Sequence, residues 1–346
     1  MKKTLLLVWL LASVNIANTC TTFFFQHNGQ MVFGRNYDWV ADAGLVCSNQ
    51  RGLAKTSIKN PDGNTISWVS LYGSITFNQY GKEFPTGGMN EKGLVVELMW
   101  LEGTVYPQPD QRPSVGVLQW IQYQLDNYST IDEVIASDKT IRITSKGTPL
   151  HYLVADANGH AASIEFLDGK MQVHQGNDLP MPVLTNDTYT RSISSLSVNN
   201  NLQENNSMVR FAKAYNMIQQ YKSETSGRSP VDESFEILGK VAQGNYTKWS
   251  IVYDLSNKQV WFKTEKYKQL RSINFSSFDF SCTVPSKLIN MNGREEGDIS
   301  KLFTDFSDAK NKLIFEQTMK QSSPQIVLTR AQKEAVLAYP ATILCK

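Results

Sequence analysis

The sequence has few of the residues from which metal sites and nucleic-acid surfaces are built. It contains four histidines and four cysteines, and none of them occurs in a metal-ligand pattern such as CxxC or HExxH. Its 34 lysines and arginines nearly balance its 32 aspartates and glutamates, without a basic block. The glycine-rich stretch at residues 87–93 lacks the GxxxxGK[ST] pattern, so we interpret it as a turn. We expect no metal, no cofactor and no nucleic-acid partner.

Long apolar runs are also missing beyond the first residues, so no later segment approaches the roughly 18 apolar residues that span a bilayer. Residues 1–19 have the pattern of a secretory signal, with Lys2 and Lys3, an apolar run at residues 5–14, and small or polar residues before Cys20. We expect an exported protein, periplasmic or secreted. Residues 20–346, with 41% hydrophobic residues in the whole chain, are predicted to form a single domain.

Cleavage after Thr19 would make Cys20 the first residue, with a thiol and a free α-amine on one residue. That amine has an ordinary pKa of about 7.7–8.0, so it can accept the thiol proton near neutral pH. Two other interpretations stay open for Cys20 from these residues alone. It is also compatible with a lipid anchor, although the preceding residues lack the leucine such sites favour, or with a structural thiol.

The other three cysteines allow one internal pair at most. Cys282 and Cys345 are our predicted disulfide, because both lie late in the chain, while Cys47 would stay reduced. Sequence alone does not fix the connectivity.

Secondary-structure patterns alternate between groups of strands and groups of helices. A hairpin is predicted from Thr21 through the turn at residues 27–29 to a second strand at residues 30–34. A polar link is expected at residues 192–207. Helices are predicted at residues 114–128, 208–221, 232–241, 300–319 and 331–339, and a capping box at residues 130–133 opens another. This order favours an α+β protein with layered antiparallel sheets covered by helices.

Arg35 and Asp38 follow the predicted second strand, next to Cys20. An arginine beside a thiol favours the thiolate, and an aspartate beside an α-amine would orient it. Without further context, a surface ion pair at a strand end is the better interpretation of these two residues.

Five short segments together resemble the choloylglycine hydrolase family of linear amide C–N hydrolases, which includes penicillin V acylases and bile salt hydrolases. The similarity runs from Cys20 to about residue 264. The segments are Cys20-Thr21, Gly34-Arg35-Asn36-Tyr37-Asp38-Trp39, Gly88-Met89-Asn90-Glu91-Lys92-Gly93-Leu94, Leu184-Thr185-Asn186 and Arg210-Phe211.

The resemblance implies the N-terminal nucleophile hydrolase fold, a four-layer αββα sandwich of two antiparallel sheets. It implies that Cys20 is the nucleophile and that its own α-amine is the base. Arg35 and Arg210 would flank the thiolate, and Asp38 would hold the α-amine. Asn186 would form half of an oxyanion hole.

Trp100 is the first departure from the family pattern, because many members have asparagine there. A backbone N–H donor at this position would survive the change and complete the oxyanion hole. The side chains of Trp100 and Trp39 would then be aromatic walls for an acyl group, or else core residues. The second departure is a short segment between Asn186 and Arg210, which puts tetramerisation in doubt and leaves a homo-oligomer open.

The family resemblance predicts an exported amidase that cleaves a linear N-acyl bond of a small molecule through a thioester at Cys20. Trp100 favours a penicillin V acylase-like activity, while conjugated bile salts and N-acyl homoserine lactones are alternative substrates. An alternative from another class is an exported binding protein on the same scaffold with a silent site.

Overall fold

The computed structural model describes residues 19–196, 206–223 and 227–346. The expected signal segment therefore lies outside the described residues except for Thr19, as does much of the expected polar link. The strands are β1 (Thr21–His27), β2 (Gln30–Asp38), β3 (Leu45–Asn49), β4 (Leu53–Thr56), β5 (Ser67–Val69), β6 (Ser74–Asn78), β7 (Pro85–Asn90), β8 (Val95–Trp100), β9 (Ser114–Val115), β10 (Arg142–Ile143), β11 (Leu150–Ala155), β12 (Ala161–Leu167), β13 (Lys170–Gln175), β14 (Val183–Leu184), β15 (Thr247–Asp254), β16 (Gln259–Thr264), β17 (Arg271–Asn274), β18 (Lys287–Asn290), β19 (Gly297–Asp298), β20 (Thr304–Asp305) and β21 (Leu344–Cys345).

Seven α-helices accompany these strands in the described part of the chain. They are α1 (Val117–Asn127), α2 (Ile131–Ala136), α3 (Tyr189–Ser195), α4 (Asn206–Ser223), α5 (Pro230–Lys240), α6 (Asp308–Gln321) and α7 (Arg330–Ala338). Local signals set their starts: the Thr130 capping box opens α2, and Ser229 caps α5 ahead of a first-turn proline.

Two large sheets lie face to face and form the predicted αββα sandwich. One has the order β14-β1-β2-β15-β16-β17-β19, and the other has the order β13-β12-β11-β8-β7-β6-β3-β18-β20. Helix α1 packs on β7 and β8, whereas α5 packs on β2 and β15. Between the sheets, the buried rings of Phe77 and Tyr253 meet edge to face at 6.0 Å between centroids. The sandwich is antiparallel apart from the short β17–β19 pairing.

The structure corrects two predicted elements. Residues 87–93 are not one turn, because Gly87 and Gly88 belong to β7 and the turn is confined to the residues after Asn90, with Gly93 at φ +89°. The predicted helix at residues 300–319 begins only at Asp308, where Ser307 accepts a hydrogen bond from the Lys310 N–H and so caps α6.

The predicted disulfide between Cys282 and Cys345 is confirmed, and Cys20 and Cys47 are free and buried. In the described residues, no helix is long and apolar enough to cross a membrane. Within the same residues, no group of three or more potential ligands is placed to hold a metal ion.

Candidate active site

Cys20 lies immediately before β1, where the two sheets and the segment after β14 meet. Strand β1 pairs with β2 on one side and β14 on the other, so residues from both neighbours surround it. The residue is 4% exposed, and its Sγ lies 3.7 Å from the backbone carbonyl of Asp38. The thiol is thus sequestered from bulk water at the edge of a cavity.

The backbone of Cys20 is fixed from both sides. Its N–H donates to Asn186 Oδ1 at 2.6 Å, and its carbonyl accepts a hydrogen bond from the Arg210 guanidinium. The same guanidinium donates to Asn186 Oδ1 at 3.0 Å and to Thr21 Oγ1 at 2.8 Å. Arg210 comes from α4 and Asn186 from the segment after β14, so three distant parts of the chain determine where the thiol sits.

The side-chain amide of Asn186 bridges Cys20 and Trp100. Its Oδ1 accepts the bonds just described, and its Nδ2 donates to the Trp100 carbonyl at 2.8 Å. These partners fix the orientation of the amide. An amide nitrogen carries two hydrogens, so one remains to donate to a further acceptor beside Cys20.

The register of β8 shows where the Trp100 peptide N–H points. Leu101 N–H donates to the Pro149 carbonyl, while Leu150 N–H donates to the Tyr106 hydroxyl instead of to β8. Trp100 and Leu150 therefore form a non-hydrogen-bonded pair of the β8–β11 ladder. The Trp100 N–H and carbonyl both point away from β11, toward the side on which Asn186 lies.

Arg35 is a buried residue and has no surface ion pair with Asp38, which corrects that expectation. Strand β2 continues to Asp38, and residues three apart on a strand face opposite sides of the sheet. Arg35 is 1% exposed and pairs with Glu97 of β8, which is fully buried. The guanidinium also donates to the Thr86 carbonyl at 3.0 Å and lies over the Tyr37 ring.

The positive charges around Cys20 counteract the effect of burial on its thiol. Burial raises the pKa of the thiol, and the nearby Asp38 raises it further, while the charges of Arg35 and Arg210 lower it. For the other free cysteine, Cys47, burial raises the pKa of the thiol to about 12. Since the Cys20 thiol is protonated at neutral pH in this setting, its ionisation needs a base.

The Asp38 carboxylate is 1% exposed, and the hydroxyls of Thr247 and Thr19 approach it. Burial raises the pKa of this carboxyl to about 7. The hydroxyls of Thr247 and Thr19 and the two guanidinium charges lower the pKa and offset only part of the burial effect. With Thr19 attached, the Cys20 N–H donates to Asn186 and not to Asp38, whose carboxyl lies beside the Thr19–Cys20 junction.

We expect the stability of the Asp38→Asn variant to lose the pH dependence that comes from ionisation of the Asp38 carboxyl. The carboxyl has a pKa near 3.9 when unfolded and about 7 when folded, so its protonated form favours folding below pH 4 and this contribution is lost as the pH rises through 7. In the chain that retains Thr19, the free energy of unfolding of Asp38→Asn relative to wild type should rise between pH 4.5 and 8 by about 3 kcal/mol. Urea unfolding at several pH values measures this, and parallel profiles would contradict it.

A cavity of about 480 Å³ opens next to the thiol. Trp39 and Trp100 form an aromatic wall, with ring centroids 6.2 Å apart and planes inclined by 26°. Trp39 donates from its indole N–H to the Tyr80 hydroxyl at 3.0 Å, so the ring is fixed in place. The wall is otherwise mostly apolar, with Leu98 and Leu150 from β8 and β11. Such a cavity suits a largely apolar ligand.

The seven residues predicted for the site all lie around this thiol and cavity: Cys20, Arg35, Asp38, Trp39, Trp100, Asn186 and Arg210. Sequence reasoning missed Glu97, the partner of Arg35. It also missed the buried His151, whose Nε2 donates to the Thr185 carbonyl at 2.7 Å, just before Asn186, and whose Nδ1 lies 3.2 Å from Glu165. A polar side chain inside each otherwise largely apolar strand was the available signal.

Comparison with known proteins gives a consistent result. The sequence model of the linear amide C–N hydrolases of the choloylglycine hydrolase family matches residues 20–206. A penicillin V acylase of Pectobacterium atrosepticum is 30% identical over 195 residues, covering 51% of this chain and 50% of that protein. The chain thus spans about half the length of this curated relative.

Two solved structures share the fold. The penicillin V acylase of Agrobacterium tumefaciens aligns with a TM-score of 0.70 and 22% identity, over 83% of this chain and 98% of that chain. A variant of the conjugated bile acid hydrolase of Clostridium perfringens aligns with a TM-score of 0.64 and 16% identity, over 83% and 96% of the two chains.

Proposed function

This chain belongs to the choloylglycine hydrolase family of linear amide C–N hydrolases, and we propose that it hydrolyses an N-acyl amide with Cys20 as the nucleophile. The observation that carries the proposal is the fixed position of Cys20 beside an apolar cavity. Its backbone is held by Asn186 and Arg210, and its thiol lies among opposing charges. The family match that begins at Cys20 supports this assignment.

The first step requires a base for the buried thiol. We propose that cleavage after Thr19 frees the α-amine of Cys20, which then takes the thiol proton. Asp38 would hold the resulting ammonium group, since its buried carboxyl lies next to this junction. Arg35 and Arg210 lower the pKa of the thiol and so favour the thiolate.

The thiolate would attack the amide carbonyl and push its electron pair onto oxygen. We assign the stabilisation of this oxyanion to the Trp100 N–H and to the free hydrogen of Asn186 Nδ2. One such donor typically contributes about 10²–10³ in turnover. Collapse of the intermediate breaks the C–N bond, and the leaving amine takes a proton from the α-ammonium. Water then hydrolyses the thioester, releasing the carboxylic acid and restoring the thiol.

The aromatic and aliphatic cavity favours an apolar acyl group. We propose a penicillin V acylase-like activity because Trp39 and Trp100 present flat ring surfaces beside the thiol. The 30% sequence identity to a penicillin V acylase over 195 residues supports the same proposed activity. Conjugated bile acids and long-chain N-acyl homoserine lactones contain the same type of bond and are the alternative substrates.

We also propose that the protein is exported, with residues 1–19 as its signal. The Cys282–Cys345 disulfide supports an oxidising compartment, because disulfides are rare in the cytosol.

The experiment is amide hydrolysis by the purified protein before and after treatment with iodoacetamide. The panel contains penicillin V, a taurine-conjugated bile acid and a long-chain N-acyl homoserine lactone. We expect cleavage of at least one of them, with penicillin V fastest, and loss of cleavage once the thiol of Cys20 is alkylated. Peptide mapping should show Cys20 modified well before Cys47, whose thiolate is scarce.

No cleavage by a protein that carries a free, rapidly alkylated Cys20 would contradict the proposed substrates. Slow alkylation of Cys20, together with binding but no turnover, would instead favour the silent binding protein.

A further inference from the structure

The cavity beside Cys20 has a second wall that comes from a distant part of the chain. This wall belongs to a segment that we call the strap, residues 322–346, which follows α6 and contains α7 and β21. Cavity-facing positions of the strap are Ile326, Leu328, Ala331, Gln332, Ala335 and Val336. All of them lie outside the part of the sequence that matches the family.

Both ends of the strap are attached to the body of the protein. At its start, the buried Ser322 hydroxyl lies 3.1 Å from the Tyr80 hydroxyl, which also holds Trp39. At its end, β21 pairs with β4, and Cys345 is bonded to Cys282. Tyr339, directly after α7, is buried with its ring edge to face with Phe84 at 5.4 Å. The strap is therefore fixed at its two ends and crosses the cavity between them.

Helix α7 is held by these ends and little by its own packing. None of its residues is buried, and Ala331 and Ala335 on the cavity side are exposed. A nine-residue helix is marginal by itself in water, and helices in proteins normally gain stability by burying one face. Here the face that would be buried meets the cavity.

We propose that the face of α7 formed by Ala331, Ala335 and Val336 is the acyl-binding wall opposite the tryptophans, and that its small side chains select substrates with a large apolar acyl group. This inference rests on the proposed amide hydrolysis. A bound acyl chain would cover the exposed face of α7, which supplies the apolar contact that the helix lacks without substrate. The disulfide then serves to keep this wall at a fixed distance from Cys20.

The test introduces a phenylalanine into α7 and compares a position that faces the cavity with a position that faces away from it. Ala335→Phe places a phenyl ring toward the cavity, whereas Lys333→Phe places it on the exposed opposite face. For an amide with a decanoyl group, Ala335→Phe should raise KM at least about tenfold, while KM for the matching acetyl amide stays within about twofold. Lys333→Phe should resemble wild type with both. Equal effects of the two variants, or equal effects on both amides, would overturn the inference.

A binding measurement separates this inference from the proposed function. In a Cys20→Ala background, decanoate binding is followed by the fluorescence of the cavity tryptophans, with acetate as the small comparison. Ala335→Phe should weaken decanoate binding at least about tenfold, and Lys333→Phe should not. If no amide is cleaved but this difference appears, the wall stands and the proposed function fails. If amides are cleaved and decanoate binds all variants alike, the proposed role of the α7 face in acyl binding is wrong. Ala331→Phe, on the same face, replaces Ala335→Phe if that variant is not folded by circular dichroism.

Discussion

Replacing Cys20 by alanine is expected to lower amide hydrolysis at least about 10³-fold, because no other group can form the thioester. Asn186 holds the backbone N–H of the residue and Arg210 holds its carbonyl, so Cys20 is fixed at the edge of the cavity. The charges of Arg35 and Arg210 offset part of the effect of burial on the pKa of its thiol. Initial rates with the best amide of the panel measure the loss.

Cys47→Ala is the matched control, since Cys47 is the other free buried cysteine of the described residues. It lies in β3 and does not line the cavity, so the activity of this variant should stay within about twofold of wild type. If Cys20→Ala keeps most of its activity while folded, the hydrolysis uses another nucleophile, such as a water molecule activated elsewhere.

Among the variants proposed for this protein, Glu97→Leu is expected to show the largest decrease in the free energy of unfolding. Glu97 and Arg35 form a fully buried ion pair between the two sheets, and Tyr253 donates its hydroxyl to the same carboxylate at 2.5 Å. Removing the carboxylate leaves the buried guanidinium without its ion-pair partner. Breaking a buried pair in this way typically costs about 3–5 kcal/mol. Urea unfolding at neutral pH gives the difference in the free energy of unfolding.

Glu334→Leu breaks an ion pair of the same chemistry at the surface, with Arg330 in α7, where both side chains are largely exposed. A pair of this kind contributes about 0–1 kcal/mol, so this variant should remain close to wild type in stability. Equal stability of Glu97→Leu and Glu334→Leu would contradict the assignment of Glu97 as the ion-pair partner of the buried Arg35.

Local sequence signals predicted the parts of the fold that depend on neighbouring residues. The β-branched and aromatic run after Cys20 predicted β1, and the Thr329–Gln332 capping pattern predicted α7 within one residue at each end. Residues 208–221 were likewise identified as helical, and α4 extends them only slightly to Asn206–Ser223. These elements depend on interactions between residues that are close in sequence, so a short segment of the sequence is enough to predict them.

Burial and long-range partners were not available from such windows. Without the family resemblance, the residues around Arg35 favour a surface ion pair, because its partner Glu97 lies on another sheet, far along the chain. In the structure Gly87 pairs with Glu97 across β7 and β8, and a Cβ at Gly87 would overlap the Glu97 carboxylate. The glycines of residues 87–88 therefore provide close approach within a strand, not a turn. Resemblance to a family brought the site residues together, whereas the strap lies beyond that resemblance.

The most direct test of the proposed mechanism is the mass-spectrometric analysis of the active protein after a rapid acid quench during turnover. We expect a chain that begins at Cys20 and carries the acyl group on the peptide containing Cys20, as an adduct released by hydroxylamine. The adduct should be missing in Cys20→Ala. An active protein that retains residues before Cys20, or an acyl group trapped on any other residue, would contradict the claim that Cys20 supplies both nucleophile and base.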